Sequence, residues 1–188
     1  MRPIELSEIR NIAEYEIERE VLRPRMIALK SRRRIGVGDH LTLLFENRET
    51  VRYQIQEMMR IERMVKPEEI AHEVETYNEL IPDADELSAT LLIEFEDAEE
   101  RKVRLRELIG LGDHIWLVAG KEAGAQARFD ARQISTDRIS SVQYLKFKLS
   151  PEQAAQFKTR ARIVVDHPAY KAERELSAAE REELAGDL

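Results

Sequence analysis

The chain has 188 residues and 43% hydrophobic content, enough for one well-packed domain, and no apolar run approaches the roughly 20 residues that span a bilayer. It has no cysteine, which excludes disulfides, thiolate zinc sites, thiol catalysis and self-ligated iron–sulfur clusters. A net charge of −7 argues against nucleic acid as the main partner, and Met1-Arg2-Pro3-Ile4-Glu5-Leu6 lacks the order of a signal peptide, so the expected compartment is the cytoplasm.

In chain order, Ser7 reads as the cap of a helix with Ile9, Ala13, Ile17 and Val21 on its buried stripe. Pro24 is expected to break or kink it before Met26, Ile27 and Leu29. Arg32-Arg33-Arg34 then runs into a turn carrying Gly36 and Gly38, either an anion-holding segment or a solvated helix end. Residues 40–46 alternate Leu41, Leu43 and Phe45 with other residues, the period of a strand. Asn47 caps the next helix, on which Val51, Ile55, Met58 and Met59 form an apolar stripe beside a ridge of Arg48, Arg52, Gln56, Arg60 and Arg63. Pro67 opens a third helix with the stripe Ile70, Val74, Tyr77 and Ile81, ending at Pro82.

The second half changes character. Residues 89–96 and 102–107 alternate and read as a hairpin joined by Asp97-Ala98-Glu99-Glu100. Further strands are expected at 115–119, 125–130, 142–149 and 162–165, with a capping box at Ser150-Pro151-Glu152-Gln153, a turn at 166–170 and a helix capped by Ser177. The fold class that follows is α+β: N-terminal helices packed on a mainly antiparallel sheet of about six to seven strands, open or barrel-like. One domain is expected, helix-rich over 1–82, strand-rich over 83–170, with a C-terminal helix at 177–188.

Several of these segments carry a resemblance. Phe45-Glu46-Asn47-Arg48, Gln54-Ile55-Gln56-Glu57-Met58, Tyr77-Asn78-Glu79-Leu80-Ile81-Pro82, Ser141-Val142-Gln143-Tyr144-Leu145-Lys146-Phe147 and Asp166-His167-Pro168-Ala169-Tyr170 resemble the bacterial family filed as domain of unknown function 3501. The resemblance covers nearly the whole chain. It implies no activity. It implies a setting beside rubrerythrin-like proteins and iron–sulfur oxidoreductases, hence an accessory role in oxidative-stress or electron-transfer systems with a redox protein as partner.

Three groups of residues are candidates for a site. Glu69 and His72 have the Glu-x-x-His spacing of di-iron bundles, but Ile70, Val74 and Tyr77 claim the buried face and no second copy of the motif occurs. Asp166, His167 and Tyr170 stand on a proline-stiffened turn, where Asp166 could orient the His167 imidazole toward a metal or an anion; otherwise the three serve the turn. Glu46, Asn47, Arg48, Arg52, Gln56 and Glu57 could present two guanidinium forks and a helix dipole to an anion, or could form an internal network. Trp116 and Tyr144 read as sheet packing, and His40 and His114 give no ligand spacing. No nucleophile, base and orienter can be read together, and no cofactor is evident. The expected function is an accessory protein, a homodimer by base rate, docking on a redox protein. The alternative is a small-anion or metal-binding protein, enzymatic or not, using Asp166 and His167 or the Arg48, Arg52 and Gln56 ridge.

Overall fold

The computed structural model describes residues 1–121, 123–129 and 137–188. Helix α1 runs over Ile12–Arg32, from a cap in which Asn11 Oδ1 accepts the Glu14 amide at 3.0 Å. Ser7 lies inside a short 3-10 turn, Leu6–Glu8, instead of capping the helix. Pro24 does not break α1: it is exposed, so the Glu20 carbonyl that it leaves without an amide meets water. The face of α1 that turns inward is also not the expected one. Tyr15, Met26 and Leu29 are buried, whereas Ile17 is 80% and Val21 77% exposed.

Strand β1, Arg34–Val37, follows α1 directly and pairs with β2, Leu41–Glu46, whose Leu41, Leu43 and Phe45 point inward as the alternation requires. Helix α2, Arg48–Glu62, and α3, Pro67–Asn78, lie where the sequence puts them. Val51, Ile55 and Met59 of α2 join Val74, Leu80 and Ile81 in a small apolar layer, while Met58 is only half-buried. Strand β3, Glu86–Ile93, is followed by helix α4, Ala98–Glu107, in place of the expected second strand of a hairpin. Asp97 caps α4 through the Glu100 amide at 2.7 Å, Leu105 and Leu108 turn to the core, and Val103 faces solvent. A spacing of three between buried leucines is helical, and over six residues it mimics alternation.

After a 3-10 turn at Leu111–His114 come β4, Ile115–Ala119, and β5, Ala125–Phe129; Asp130, the last residue expected in that strand, lies outside the described residues. Then follow β6, Val142–Lys148, helix α5, Pro151–Phe157, and the hairpin of β7, Ala161–His167, with β8, Tyr170–Glu175. Helix α6, Ala178–Leu184, ends the order. The expected turn at 166–170 is shorter than predicted: Asp166 and His167 finish β7, and Tyr170 starts a strand that the sequence reading lacked.

The eight strands among the described residues, against the expected six to seven, form one antiparallel sheet in the order β1-β2-β3-β6-β5-β4-β7-β8. It curls into a near-barrel with a solid aliphatic interior from Val37, Leu43, Leu91, Leu117, Phe147 and Ile163 among others. Leu105 and Leu108 of α4 belong to the same core, as do Phe157 of α5 and Leu184 of α6. Helices α2 and α3 cover the outer face of β2, β3 and β6, so β3 is buried on both faces.

Edges β1 and β8 meet at a seam without a backbone ladder among the described residues. Two clasps hold it. The Tyr170 hydroxyl donates to Val37 O at 2.8 Å and accepts the His40 amide at 3.1 Å. At the other end Arg33, 1% exposed, donates to Phe45 O at 2.9 Å and ion-pairs with Glu183 at 3.2 Å and with Asp187. In the Arg32 to Arg34 cluster Arg33 serves this buried clasp, while Arg32 ends α1 and Arg34 enters β1 with both side chains exposed, paired with Glu183 and Glu94, so only Arg33 departs from a solvated end.

Gly38 makes the first clasp possible. Its φ is +69°, and a Cβ there would lie 2.4 Å from the Tyr170 hydroxyl oxygen. Gly38→Ala therefore destabilises the fold through both contact and backbone strain. Tyr170→Phe alone costs about 1 kcal/mol of hydrogen bonding. Because the phenylalanine removes the atom nearest the new methyl, the double variant loses less than the two single losses together, by about 0.5 kcal/mol or more in a denaturant-unfolding cycle. Strict additivity would show that the close approach of Gly38 and Tyr170 carries no energy.

Candidate functional site

The α2 ridge is a strap. Asn47 Oδ1 accepts the amides of Glu49 and Thr50, each at 3.0 Å, and the Thr50 hydroxyl accepts the Asn47 amide at 2.9 Å. Arg48 reaches back to Arg2 O at 3.1 Å and to the Glu8 carboxylate, fixing the N-terminal arm. Gln56 exchanges two hydrogen bonds with the Arg10 backbone, at 2.7 and 3.1 Å. Glu57 accepts from the Tyr15 hydroxyl at 2.6 Å and from Arg19 at 2.7 and 3.1 Å. Burial pushes the Tyr15 phenol well above its usual range, and the Glu57 contact adds to the effect. Burial also pushes the Glu57 carboxyl up, but the bonds from Arg19 and Tyr15 outweigh it and hold Glu57 below the usual value. Arg52, which has no ion pair or hydrogen bond among the described residues, stands between α1 and α2 beside Tyr53 and Glu49. Two guanidinium forks therefore do not converge on a ligand here; the ridge ties α2 to α1 and to the arm.

The 166–170 segment does not converge either. Successive residues of β7 face opposite ways, so Asp166 is exposed and pairs with His114 Nδ1 at 3.1 Å, while His167 is buried. His167 Nε2–H donates to Ile109 O at 3.1 Å and Nδ1 accepts the Ala169 amide at 3.2 Å. Both ring nitrogens are thus occupied, which fixes the tautomer and leaves no lone pair for a metal. Tyr170 belongs to the seam. Asp166 therefore does not orient His167, and the proposed metal pair is not assembled.

Glu69 and His72 are exposed on α3, and Glu69 pairs with Lys66 at 2.8 Å. Among the described residues no group of three histidine or carboxylate side chains is placed to hold a metal ion.

Another arrangement of converging polar groups is one that sequence reasoning missed. On the outer face of the sheet, beside the end of α3, a cavity of about 340 Å³ is lined by Glu79, Asp83, Ser88, Arg128, Phe129 and Tyr144, with Glu86 and Lys146 on the same wall. Glu86 is 2% exposed. Its carboxylate pairs with Lys146 at 2.8 Å and with Arg128 at 2.6 Å, and Lys146 also donates to Ile81 O at 3.1 Å. Cross-strand register explains the meeting: Ser88 faces Lys146 on β6 and Glu46 on β2, and Lys146 faces Arg128 on β5. Ser88 is 2% exposed, and its side chain lines the cavity. Next to it, buried Glu46 accepts from the hydroxyls of Thr90 at 2.8 Å and Thr50 at 2.5 Å. Burial raises the Tyr144 phenol above its usual value. The sequence signal was the run of small polar residues Ser88 and Thr90 in β3, which alternation reads as a wet face.

The strap has a measurable signature. The Arg48 hydrogen bond, with a backbone bond from Glu5, lowers the Glu8 carboxyl from 4.5 to about 2. A depressed carboxyl contributes stability that is present above the unfolded value and lost as pH falls through the folded one. Docking of the N-terminal arm therefore weakens between about pH 4.5 and about pH 2. Arg48→Ala should return the Glu8 titration, followed by carboxyl carbon NMR, toward 4.5; an unchanged Glu8 would mean that Arg48 is not its partner in solution.

No helix among the described residues is long and apolar enough to cross a membrane. No curated protein matches the chain. A crystal structure of a protein of unknown function from Burkholderia pseudomallei K96243 is similar to it throughout, with 33% sequence identity, a TM-score of 0.93 and all of both chains covered. The chain belongs to the family described as protein of unknown function (DUF3501), whose model matches residues 3–188.

Proposed function

We propose that the protein is a cytoplasmic accessory protein that binds a small molecule of mixed charge in the cavity on the outer face of β3, β5 and β6. The observation that carries this reading is the meeting of the buried Glu86 carboxylate, its cationic partners Arg128 and Lys146, and the Ser88 hydroxyl on one wall of the cavity. A ligand oxygen or amine can hydrogen-bond the Ser88 hydroxyl. The walls suit a zwitterion. Among the described residues Arg128 bonds only to Glu86 and has further guanidinium N–H groups for a carboxylate, while Asp83 stands at the rim for an ammonium. Phe129 and Leu80 supply apolar contact, and the volume lies at the small end of the range for ligand sites, roughly 300–1,000 Å³. The accessory place beside a redox protein is proposed on the family's setting; pull-downs from the native host that retain no rubrerythrin-like or iron–sulfur neighbour would remove it.

Calorimetric titration with free amino acids, and with the matching carboxylic acids that lack the amine, tests the cavity. At least one amino acid should bind saturably, and its des-amino analogue more weakly. Ser88→Ala should weaken binding about fivefold, the worth of one neutral hydrogen bond, and Arg128→Ala about tenfold or more. Absence of saturable binding across the panel, or binding indifferent to both substitutions, would sink the proposal.

A further inference from the structure

Helix α1 carries an apolar stripe that nothing among the described residues covers. Ala13, Ile17, Val21, Pro24 and Ala28 recur at steps of four, four, three and four, which places them on one face, and all five are exposed. The opposite face is the one that packs, through Tyr15, Met26 and Leu29. A stripe of this kind on a water-facing helix is the pattern of a buried seam.

The same helix is charged in two halves. Glu14, Glu16, Glu18 and Glu20 precede its midpoint and Arg23, Arg25, Lys30 and Arg32 follow it; within the chain Arg19 turns inward to Glu57, and further pairs join Glu16 to Arg60, Glu18 to Arg10, Arg25 to Glu49 and Arg32 to Glu183. The stripe is nearly symmetric as well, about a point one to two residues before that midpoint. A twofold axis through the Glu20 to Val21 peptide sets Ala13 against Ala28 and Ile17 against Pro24 of a second copy, with Val21 beside its own counterpart. In this antiparallel arrangement each acidic half lies along a basic half, whereas a parallel one opposes like charges. Glu20 and Arg23, neither with an ion-pair partner among the described residues, fall on the same flank and come within reach of each other across the axis.

That flank also holds a shallow groove between the start of α1 and the end of α2, lined by Ala13, Glu16, Ile61 and Val65, with Ile61 59% and Val65 73% exposed. Ile27, 54% exposed, projects from the same flank at the position along the helix that the axis brings opposite Glu14. One copy's Ile27 thus meets the other's groove, twice in the dimer.

We infer that the α1 face is the interface of a homodimer in which two α1 helices pack antiparallel. The occupant is a second copy because both the charge pattern and the order of apolar residues are complementary to themselves under one twofold rotation. The inference is independent of the ligand cavity, which lies on other elements.

Light scattering on the purified chain should give twice the monomer mass at tens of micromolar. Ile17→Glu with Val21→Glu should raise the dimer dissociation constant at least ~100-fold while leaving the circular dichroism spectrum and melting temperature of the monomer intact, since neither side chain packs within the chain. Glu20→Arg should weaken the dimer, and adding Arg23→Glu should restore it. The chain has no cysteine, so Val21→Cys introduces a single thiol at the axis, and mild oxidation should cross-link it to its own copy. Ala13→Cys should not cross-link, because the axis holds the two copies of that residue about 20 Å apart. A monomer at 100 micromolar, a dimer that survives the Ile17 and Val21 substitutions, or cross-linking of the Ala13→Cys variant with none of the Val21→Cys variant would overturn the inference; so would a monomer that retains a different protein through this face.

Discussion

The buried guanidinium of Arg33 is the constraint on which the closed sheet depends. Removing a charge from water costs several kcal/mol unless every donor finds an acceptor, and Arg33 finds them on three parts of the chain: the Phe45 carbonyl, Glu183 and Asp187. The Phe45 amide also donates to the Arg33 carbonyl at 3.0 Å, so the end of α1 is locked to β2 from both sides. The two carboxyls respond differently. Burial pushes Asp187 up in spite of the guanidinium opposite it. Burial also pushes Glu183 up, yet bonds from Arg32 and Arg33 outweigh it and hold that group below its usual value. Asn47, the cap of α2, stands beside Asp187 and helps to hold its carboxyl down. One charge cluster thereby sets where α1 stops, where α2 starts and where α6 sits, and α6 in turn brings Leu184 into the core.

A second polar layer lies between the helices and the outside of the sheet. Glu46, Thr50, Ser88 and Thr90 are all buried there, beneath α2. Small hydroxyl-bearing side chains let the helix approach, and the hydroxyls of Thr50 and Thr90 solvate Glu46, which has no cation beside it among the described residues. Glu46 immediately precedes the cap of α2, where the helix dipole favours a negative charge. Apolar packing alone tolerates sliding; hydrogen bonds of this kind fix the seat of α2 on β2 and β3. The ligand cavity opens where this layer emerges toward β5.

The sequence spoke most clearly where local rules act alone. Asn47, Pro67, Ser150 and Ser177 mark true helix starts, and alternation places β2, β4 and β6. It misled where two periods fit one short segment, as with Val103 and Leu105, and where a strand lacks an apolar face. Strand β8 sets Tyr170, Ala172 and Arg174 toward the protein, because it borders a seam, so it carries no hydrophobic alternation to detect. The candidate residues make contacts between distant parts of the chain, such as Glu57 with Tyr15 across 42 positions and Tyr170 with Val37 across 133. No spacing rule encodes such distances. Glu86, Ser88, Arg128 and Lys146 were invisible for the same reason, since only the strand order β3-β6-β5 brings them together.

The Arg33 clasp also orders events in time. Its partners Glu183 and Asp187 lie 150 and 154 positions farther along the chain. A nascent polypeptide emerging from the ribosome can thread β1 through β3 and dock α2 on them long before residue 183 exists, and throughout that interval the first edge of the sheet stays unmatched and the arginine stays wet. Closure is therefore a late, high-contact-order step, slow compared with helix formation, during which the exposed β1 edge is open to pairing with other chains.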